Sequence, residues 1–588
     1  MTSHFCTLRR RLSLRGLFLA LPLMLAAPLV LAQTSSTAAS AAIKLDQVGY
    51  ASGAAKLAFV AVPAKSFEIR RTADSSAVFT GTLSAPVADS DTGDTLQVAD
   101  FSALKAPGDY VLVVPGVGRS WKFSIRQDVY EHAYTLATRA FYGQRCGVEV
   151  DMGSEFPSFK HPACHLKSEF HASSGKSGEA EIPGGWHDAG DYGRYTVNTA
   201  ISAGTLLNTW QLYGKKTGKV ELNLPEKGQK TPELLSEARW GVEWMLKMQD
   251  TDGGAWHKQT ALHFGSFIPP QDDKDLPYVI GSGHSPYKTT CASADVAAVA
   301  ALSARLFAPY DKDFSDRSLA AAKKGFDWAQ QHPKETFSNV PGVQSGDYPD
   351  NDCSDEMLWA AAELWQATGD AYYNRYFVSH YEKFLDTLEA PEPENWRVVA
   401  PQALWSYALA PRTGSDAPAV AAIRKRTVAE AQKIAVRTEA NPYKVSLRSS
   451  DYHWGSNGLV ASYGEELLIA DRFSPNPLFR RAAADDLHYL LGRNTFSLSF
   501  VTKLGENALQ HPHHRPSGSG KYDGAWPGLL SGGPNSYETD PALKVLKEKN
   551  PNLPPAKVFL DSEGSWCSNE IAINWQAPLV FLLAGQLP

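Results

Sequence analysis

The feature that most limits what this chain can fold into is a change of hydrophobic period near residue 127. Upstream, short β-type runs such as Lys56–Val62, Ser66–Arg70, Tyr110–Val114 and Ser120–Ile125 are separated by turn residues such as Pro107-Gly108-Asp109. Regular short strands of this kind predict a small all-β sandwich. Downstream, apolar residues recur at helical spacing in segments 129–142, 196–213, 231–249, 291–307, 316–331, 354–368, 371–387, 416–436, 456–471, 476–491 and 567–584. About a dozen helices without a strand ladder predict a mainly α domain of paired helical hairpins, and the absence of a short repeat disfavours a solenoid.

The N-terminus predicts an export signal over residues 1–32. Arg9, Arg10, Arg11 and Arg15 precede an apolar run from Gly16 to Leu31, and Ala32 offers a small residue for cleavage. A membrane anchor is the weaker alternative, because the run is shorter than the ~20 residues a span requires and contains two prolines. The expected organisation is a signal over 1–32, a Ser/Thr/Ala-rich spacer over 33–42, a sandwich over 43–126 and a helical domain over 127–588. No later stretch reads as a membrane span, so an exported protein, extracellular or periplasmic, is expected. Removal of Cys6 with the signal leaves Cys146, Cys164, Cys291, Cys353 and Cys567, an odd number, so at least one stays outside internal disulfides. With 57 Lys+Arg against 63 Asp+Glu, the chain has no broad positive field for a phosphate backbone, and nucleic acid is excluded as a partner.

Three loops carry chemistry. Gly184-Gly-Trp-His-Asp-Ala-Gly-Asp-Tyr-Gly-Arg-Tyr195 holds Asp188 and Asp191 three residues apart among small residues, an arrangement that serves a calcium turn or a catalytic base equally well. Glu570 precedes the very apolar segment 571–583, where a raised pKa would make it a general acid and a plain helix N-terminal acid is the competing reading. Gln510-His-Pro-His-His-Arg-Pro-Ser-Gly518 is a dense donor cluster, with His513 and His514 poorly spaced for helical chelation. Carboxylates on one side, an acid on the other and donors for hydroxyls are together what glycoside hydrolysis requires. The aromatic content, 15 Trp, 23 Tyr and 25 Phe, suits sugar faces.

At Ile43-Lys-Leu-Asp-Gln-Val-Gly-Tyr50, Gly184–Tyr195, Tyr452-His-Trp-Gly-Ser-Asn457, Tyr489-Leu-Leu-Gly-Arg-Asn494, Ser499–Arg515, Gly532-Gly-Pro-Asn535 and Phe559–Ala577, the chain resembles bacterial cellulases of glycoside hydrolase family nine that carry an N-terminal immunoglobulin-like domain. The resemblance implies an α/α barrel of six helical hairpins behind that sandwich. It implies Asp191 as general base, Asp188 as the residue that helps hold the attacking water, Glu570 as general acid, and His513 and Arg515 as sugar-binding residues. Asp561 is the further acid of the C-terminal signature, and Trp186 is expected at the substrate. Asn574 and Gln576 depart from the family pattern, where Asp and Asn are usual. The implied function is an endo-β-1,4-glucanase acting on cellulose or soluble β-glucan. An exo-acting cellodextrinase or related β-glycosidase, and a non-catalytic glycan-binding protein, are the alternatives. The sequence gives no handle on oligomeric state, and a monomer is expected.

Two metal sites are expected. Cys146, Cys164, His165 and His187 form a two-thiol, two-imidazole set suited to tetrahedral zinc in a structural role. Spacing alone leaves a Cys146–Cys164 disulfide open, and the resemblance favours zinc. In the acidic stretch 345–356, Asp355 and Glu356 are the expected calcium ligands because the family often binds calcium at this pair, with a solvated acidic loop as the alternative. Asp272, Asp273 and Asp275 read as plain surface.

Overall fold

The structure is a computed structural model describing residues 38–390 and 392–588, so the expected signal and the first half of the spacer lie outside the described residues. The first unit is a two-sheet sandwich. One sheet has the order β1 (Ile43–Lys44), β3 (Leu57–Val60), β7 (Thr95–Asp100), β6 (Val87–Ala88). The other runs β2 (Gly49–Tyr50), β10 (Phe123–Ile125), β8 (Gly108–Val114), β4 (Ser66–Arg71), β5 (Ala77–Thr82), with β9 (Gly118–Arg119) on β8. Strand β8 shows why the pattern was readable: Tyr110, Leu112 and Val114 point inward at a period of two, and join Phe67, Ile69 and Phe123 in the sandwich core.

Among the described residues, twelve helices build the barrel of the second unit: α1 (Glu131–Gly143), α2 (Thr196–Thr217), α3 (Glu233–Met248), α4 (Thr290–Phe307), α5 (Lys312–Gln331), α6 (Ser354–Thr368), α7 (Ala371–His380), α8 (Ala400–Leu409), α9 (Ala417–Ala440), α10 (Ser456–Phe473), α11 (Pro477–Leu490) and α12 (Ile573–Gln586). The even-numbered helices pack side by side in a closed ring, with α12 returning to α2, and the odd-numbered ones lie outside them. This is the expected α/α barrel of six hairpins. Helix α8 was not anticipated: residues 400–408 are all buried, so the segment has no polar face and no amphipathic period to find. The last helix was anticipated too early. Trp566–Asn569 is a separate turn, Glu570 is extended, and α12 begins at Ile573. Against the expectation that no later stretch could span a membrane, α4 is long and apolar enough to do so; it is an inner-ring helix, and its apolar surface is buried in the barrel.

The sandwich docks through buried polar contacts. Asp46 is fully buried and accepts bonds from the Val48 and Gly49 amides, faces His488 Nδ1 at 2.8 Å, and lies 3.2 Å from the Tyr130 hydroxyl. Gln47 bonds the Ser497 and Asn507 carbonyls and the Asn507 amide, and Asp94 accepts from Tyr443, Thr495 and Lys557. Removing one member of such a buried set strands the others without water. Asp46→Ala is therefore expected to destabilise the protein by about 3–5 kcal/mol, read as a lower urea midpoint, with Asp46→Asn milder. An unchanged midpoint for Asp46→Ala would show that the contact carries no stability.

Candidate active site

A cavity of about 1180 Å³ opens at the end of the barrel where the inner helices begin. The loop carrying Asp188 and Asp191 leads into α2, the Tyr348 loop into α6, residues 394–398 into α8, Trp454 into α10, and Glu570 into α12. Five chain segments far apart in sequence thus meet at one mouth. The partly exposed Trp454 and Trp566, with Trp396 and Trp575, give its walls flat apolar faces.

Glycines shape the base of the site. A Cβ at Gly185 would sit 2.7 Å from the Trp244 ring, and one at Gly190 would sit 2.1 Å from the His513 carbonyl oxygen. That close approach lets the Arg515 amide donate to the Gly190 carbonyl at 2.9 Å, which ties the acidic loop to the histidine segment. Asp188 is buried, with one oxygen accepting from Asn198 Nδ2 at 2.7 Å and the other from the Tyr348 hydroxyl at 2.6 Å. Burial pushes its carboxyl up to about 7, helped by the charge of Asp191 and opposed by those two bonds. Asp191 lines the cavity and accepts from the Gly193 amide at 3.2 Å.

Glu570 lines the same cavity, its backbone bridged to that of His513 and its carbonyl accepting from the Gly532 amide. Its carboxyl is held well above the ordinary range, first by burial and then by the charges of Asp191 and Asp188, with Arg515 pulling the other way. His513 presents Nδ1 to the Glu563 carbonyl, which can only accept, so this nitrogen donates and Nε2 carries the lone pair. Burial lowers its basicity, which favours the neutral ring. Arg515 donates from Nε to the Gly265 carbonyl at 3.0 Å and lies against the rings of Phe264 and Phe267.

Two expected site residues are elsewhere. Trp186 is fully buried: its ring packs 5.0 Å from that of Phe141, and its Nε1 donates to Glu237, so it supports the loop from below and cannot reach a substrate. Asp561 does not line the cavity; it accepts from the Gln510 and His511 amides at 2.9 and 2.7 Å and holds the turn that opens the histidine segment. Of the departing residues, Gln576 bonds the Leu530 amide and the Ala137 and Gly528 carbonyls, while Asn574 faces Asn198.

The donor atoms of Cys146, Cys164, His165 and His187 lie within 4.8 Å of one another, and both cysteines are free thiols, which removes the disulfide alternative. Bonds of about 2.3 Å to sulfur and about 2.0 Å to nitrogen place the corners of one zinc tetrahedron roughly 3.3–3.8 Å apart, so the set fits after a small contraction. His165 Nδ1 is buried without a partner, as a metal ligand should be. Asp273, taken from the sequence as surface, instead meets His165 Nε2 at 3.4 Å.

The acidic stretch differs from a solvated loop. Glu356 and Asp295 are fully buried, and neither has a hydrogen-bond partner on either carboxylate oxygen; Asp350 Oδ2 is also unpartnered, and Asp355 accepts from the Val399 amide at 2.8 Å. Buried carboxylates without donors suit a hard cation. A Cys291–Cys353 disulfide joins the first turn of α4, which bears Asp295, to the residue before α6, which bears Asp355 and Glu356. Cys567 is a buried free thiol.

These features agree with what known proteins show. The profile of "Cellulase N-terminal ig-like domain" matches residues 38–119, and that of "Glycosyl hydrolase family 9" matches residues 130–583. The chain is 34% identical over 546 residues to "Endoglucanase D" of Acetivibrio thermocellus, covering 92% of this chain and 83% of that one. It is 31% identical over 566 residues to a "Cellodextrinase" of Butyrivibrio fibrisolvens, covering 93% and 99%. Its fold superposes on a Zn-binding triple mutant of the GH family 9 endoglucanase J30 with a TM-score of 0.84 at 32% identity, covering 92% of this chain and 99% of that one. A barrel of six hairpins, an acidic pair and a buried glutamic acid lining one cavity, and a profile match over nearly all of the helical unit lead to one assignment: the chain belongs to glycosyl hydrolase family 9.

Proposed function

We propose that the protein is an endo-acting β-1,4-glucanase that inverts the anomeric centre in one step. The observation that carries this is the contrast between two acidic groups on one cavity: Glu570 is kept protonated by burial and by two carboxylates, and Asp191 has an amide donor beside it. Glu570 supplies a proton to the departing oxygen, and Asp191 takes one from a water attacking the opposite face of the sugar. Asp188, engaged on both oxygens, helps hold that water. His513 and Arg515 grip the sugar next to the scissile bond, and the tryptophans of the wall stack on its neighbours.

Time-resolved product analysis tests the reading. On carboxymethylcellulose and cellohexaose, viscosity should fall early with mixed oligomers appearing, and the first reducing ends should be α-anomers by NMR. One short product with slow viscosity loss would replace the endo reading by an exo-acting one. β-Anomers at the outset would overturn inversion.

Export is part of the same proposal: the arginine-led apolar N-terminus suits a signal, and a disulfide between α4 and α6 suits an oxidising compartment. Zinc held by Cys146, Cys164, His165 and His187 would anchor the loop that bears Asp188 and Asp191, since His187 precedes Asp188 directly. Calcium held among Asp355, Glu356, Asp295 and Asp350 would neutralise buried charge and pin α4 to α6. Each would be structural, and metal analysis of the purified protein that finds neither ion would remove both.

A further inference from the structure

The segment from Ala261 to Pro277 joins two short strands, Lys258–Thr260 and Tyr278–Ile280, and crosses over the sugar-binding side of the cavity. Its Gly265 carbonyl holds Arg515 Nε, its Phe267 ring packs edge-on against His513 at 5.1 Å, and its Ile268 carbonyl accepts the Tyr192 hydroxyl. Phe264, on the same segment, lines the cavity. Farther along, Asp273 uses Oδ1 to accept from the Asp275 amide, which fixes its own turn, and directs Oδ2 to His165 Nε2. Both side chains are nearly closed off from solvent, at 9% and 3% exposure.

His165 adopts a left-handed backbone, with φ 47°, a cost that a fixed ring position repays. With Nε2 turned to a carboxylate, that nitrogen carries the hydrogen, and the lone pair is left on Nδ1, the buried atom without a partner. A carboxylate on the far nitrogen is the usual way in which a ligating imidazole is oriented and made more basic.

We propose that Asp273 is a positioning residue: it orients His165 in the four-ligand centre, and in doing so fastens the 261–277 segment over His513 and Arg515, so that this centre sets substrate affinity as well as stability. The proposal rests on the zinc reading above. The centre and the sugar-binding residues are then two ends of one strap. Loosening the metal end should weaken sugar binding while leaving the carboxyl groups that perform the reaction in place.

The experiment compares the full-length wild type with Asp273→Ala and Asp273→Asn. It measures zinc content, the rate of zinc release to a chromophoric chelator, and KM and kcat separately on cellohexaose. The wild type should hold one zinc. Asp273→Ala should release it about 10–100-fold faster, with KM raised several-fold and kcat changed less. Asp273→Asn, whose carbonyl oxygen can still accept from Nε2, should lie between the two and keeps the test valid if the alanine variant folds poorly. Zinc in the wild type with unchanged release and unchanged KM in both variants overturns the role of Asp273. Faster release with unchanged KM overturns the coupling to the sugar site. A wild type without zinc overturns the zinc reading itself.

Discussion

Glu570→Gln is expected to lower kcat/KM on cellohexaose by about 10²–10⁴-fold, the range that a positioned general acid supplies. Glutamine keeps the shape and cannot release a proton to the departing oxygen. The variant should recover most of its loss on an aryl cellobioside with a dinitrophenolate leaving group, which departs without protonation. Equal losses on both substrates would mean that Glu570 acts on something other than the leaving group. The pH dependence follows from the direction of the shift. Burial and the charges of Asp191 and Asp188 raise the Glu570 pKa, so the proton is retained above the usual carboxylate range, and activity is lost as pH rises through that raised value. The same shift affects stability. A carboxyl whose folded-state pKa is raised contributes stability that is present below its unfolded value and disappears as pH rises through the folded one. Glu570→Gln removes that dependence, so at mildly alkaline pH the variant should unfold no earlier than the wild type. The loss of activity can then be separated from a loss of folding.

What the sequence allowed and what it hid divide along physical lines. Half-buried elements announce themselves, because burial on one face imposes a period: β8 and α3 are examples. A short element buried on all sides does not: α8, only 10 residues long, passed unseen, whereas the longer buried helices α4 and α10 showed as extended apolar runs. The acids that meet at the cavity were legible because glycines and acids cluster locally, as in residues 184–195. Partnerships across the chain were not. The Cys291–Cys353 pairing, the approach of Asp273 to His165 across 108 positions, and the meeting of Asp295 with Glu356 all depend on packing between helices and loops. Asp295 did leave a trace, as the single acid in the Ala-rich run 290–307. Trp186 was misjudged because an aromatic beside catalytic acids looks like a stacking platform; its indole is instead held by Glu237, itself paired with Arg145.

Asp191 and Asp188 are three residues apart, yet the proposed reaction gives them unequal tasks, and Asp191→Asn is the sharper test of the two. Both oxygens of Asp188 already accept bonds, from Asn198 and Tyr348, so both are engaged in holding the carboxylate in place. Asp191 is bonded on Oδ2 to the Gly193 amide and borders the cavity. A base needs an oxygen free to meet a water, and Asp191, which accepts on Oδ2, keeps Oδ1 for that purpose. Asp191→Asn is expected to cost about 10²–10⁴-fold in kcat on β-glucan with little change in KM, because the sugar contacts proposed for His513 and Arg515 would remain. Azide is a nucleophile that needs no deprotonation, so adding it should restore turnover of the variant and yield an α-glycosyl azide, the product of attack opposite a β-linked leaving group. Asp188→Asn should lose less and gain nothing from azide, since its defect would be one of placement. Rescue of Asp188→Asn in place of Asp191→Asn would exchange the two roles, and a wild-type rate for Asp191→Asn would remove it from the reaction.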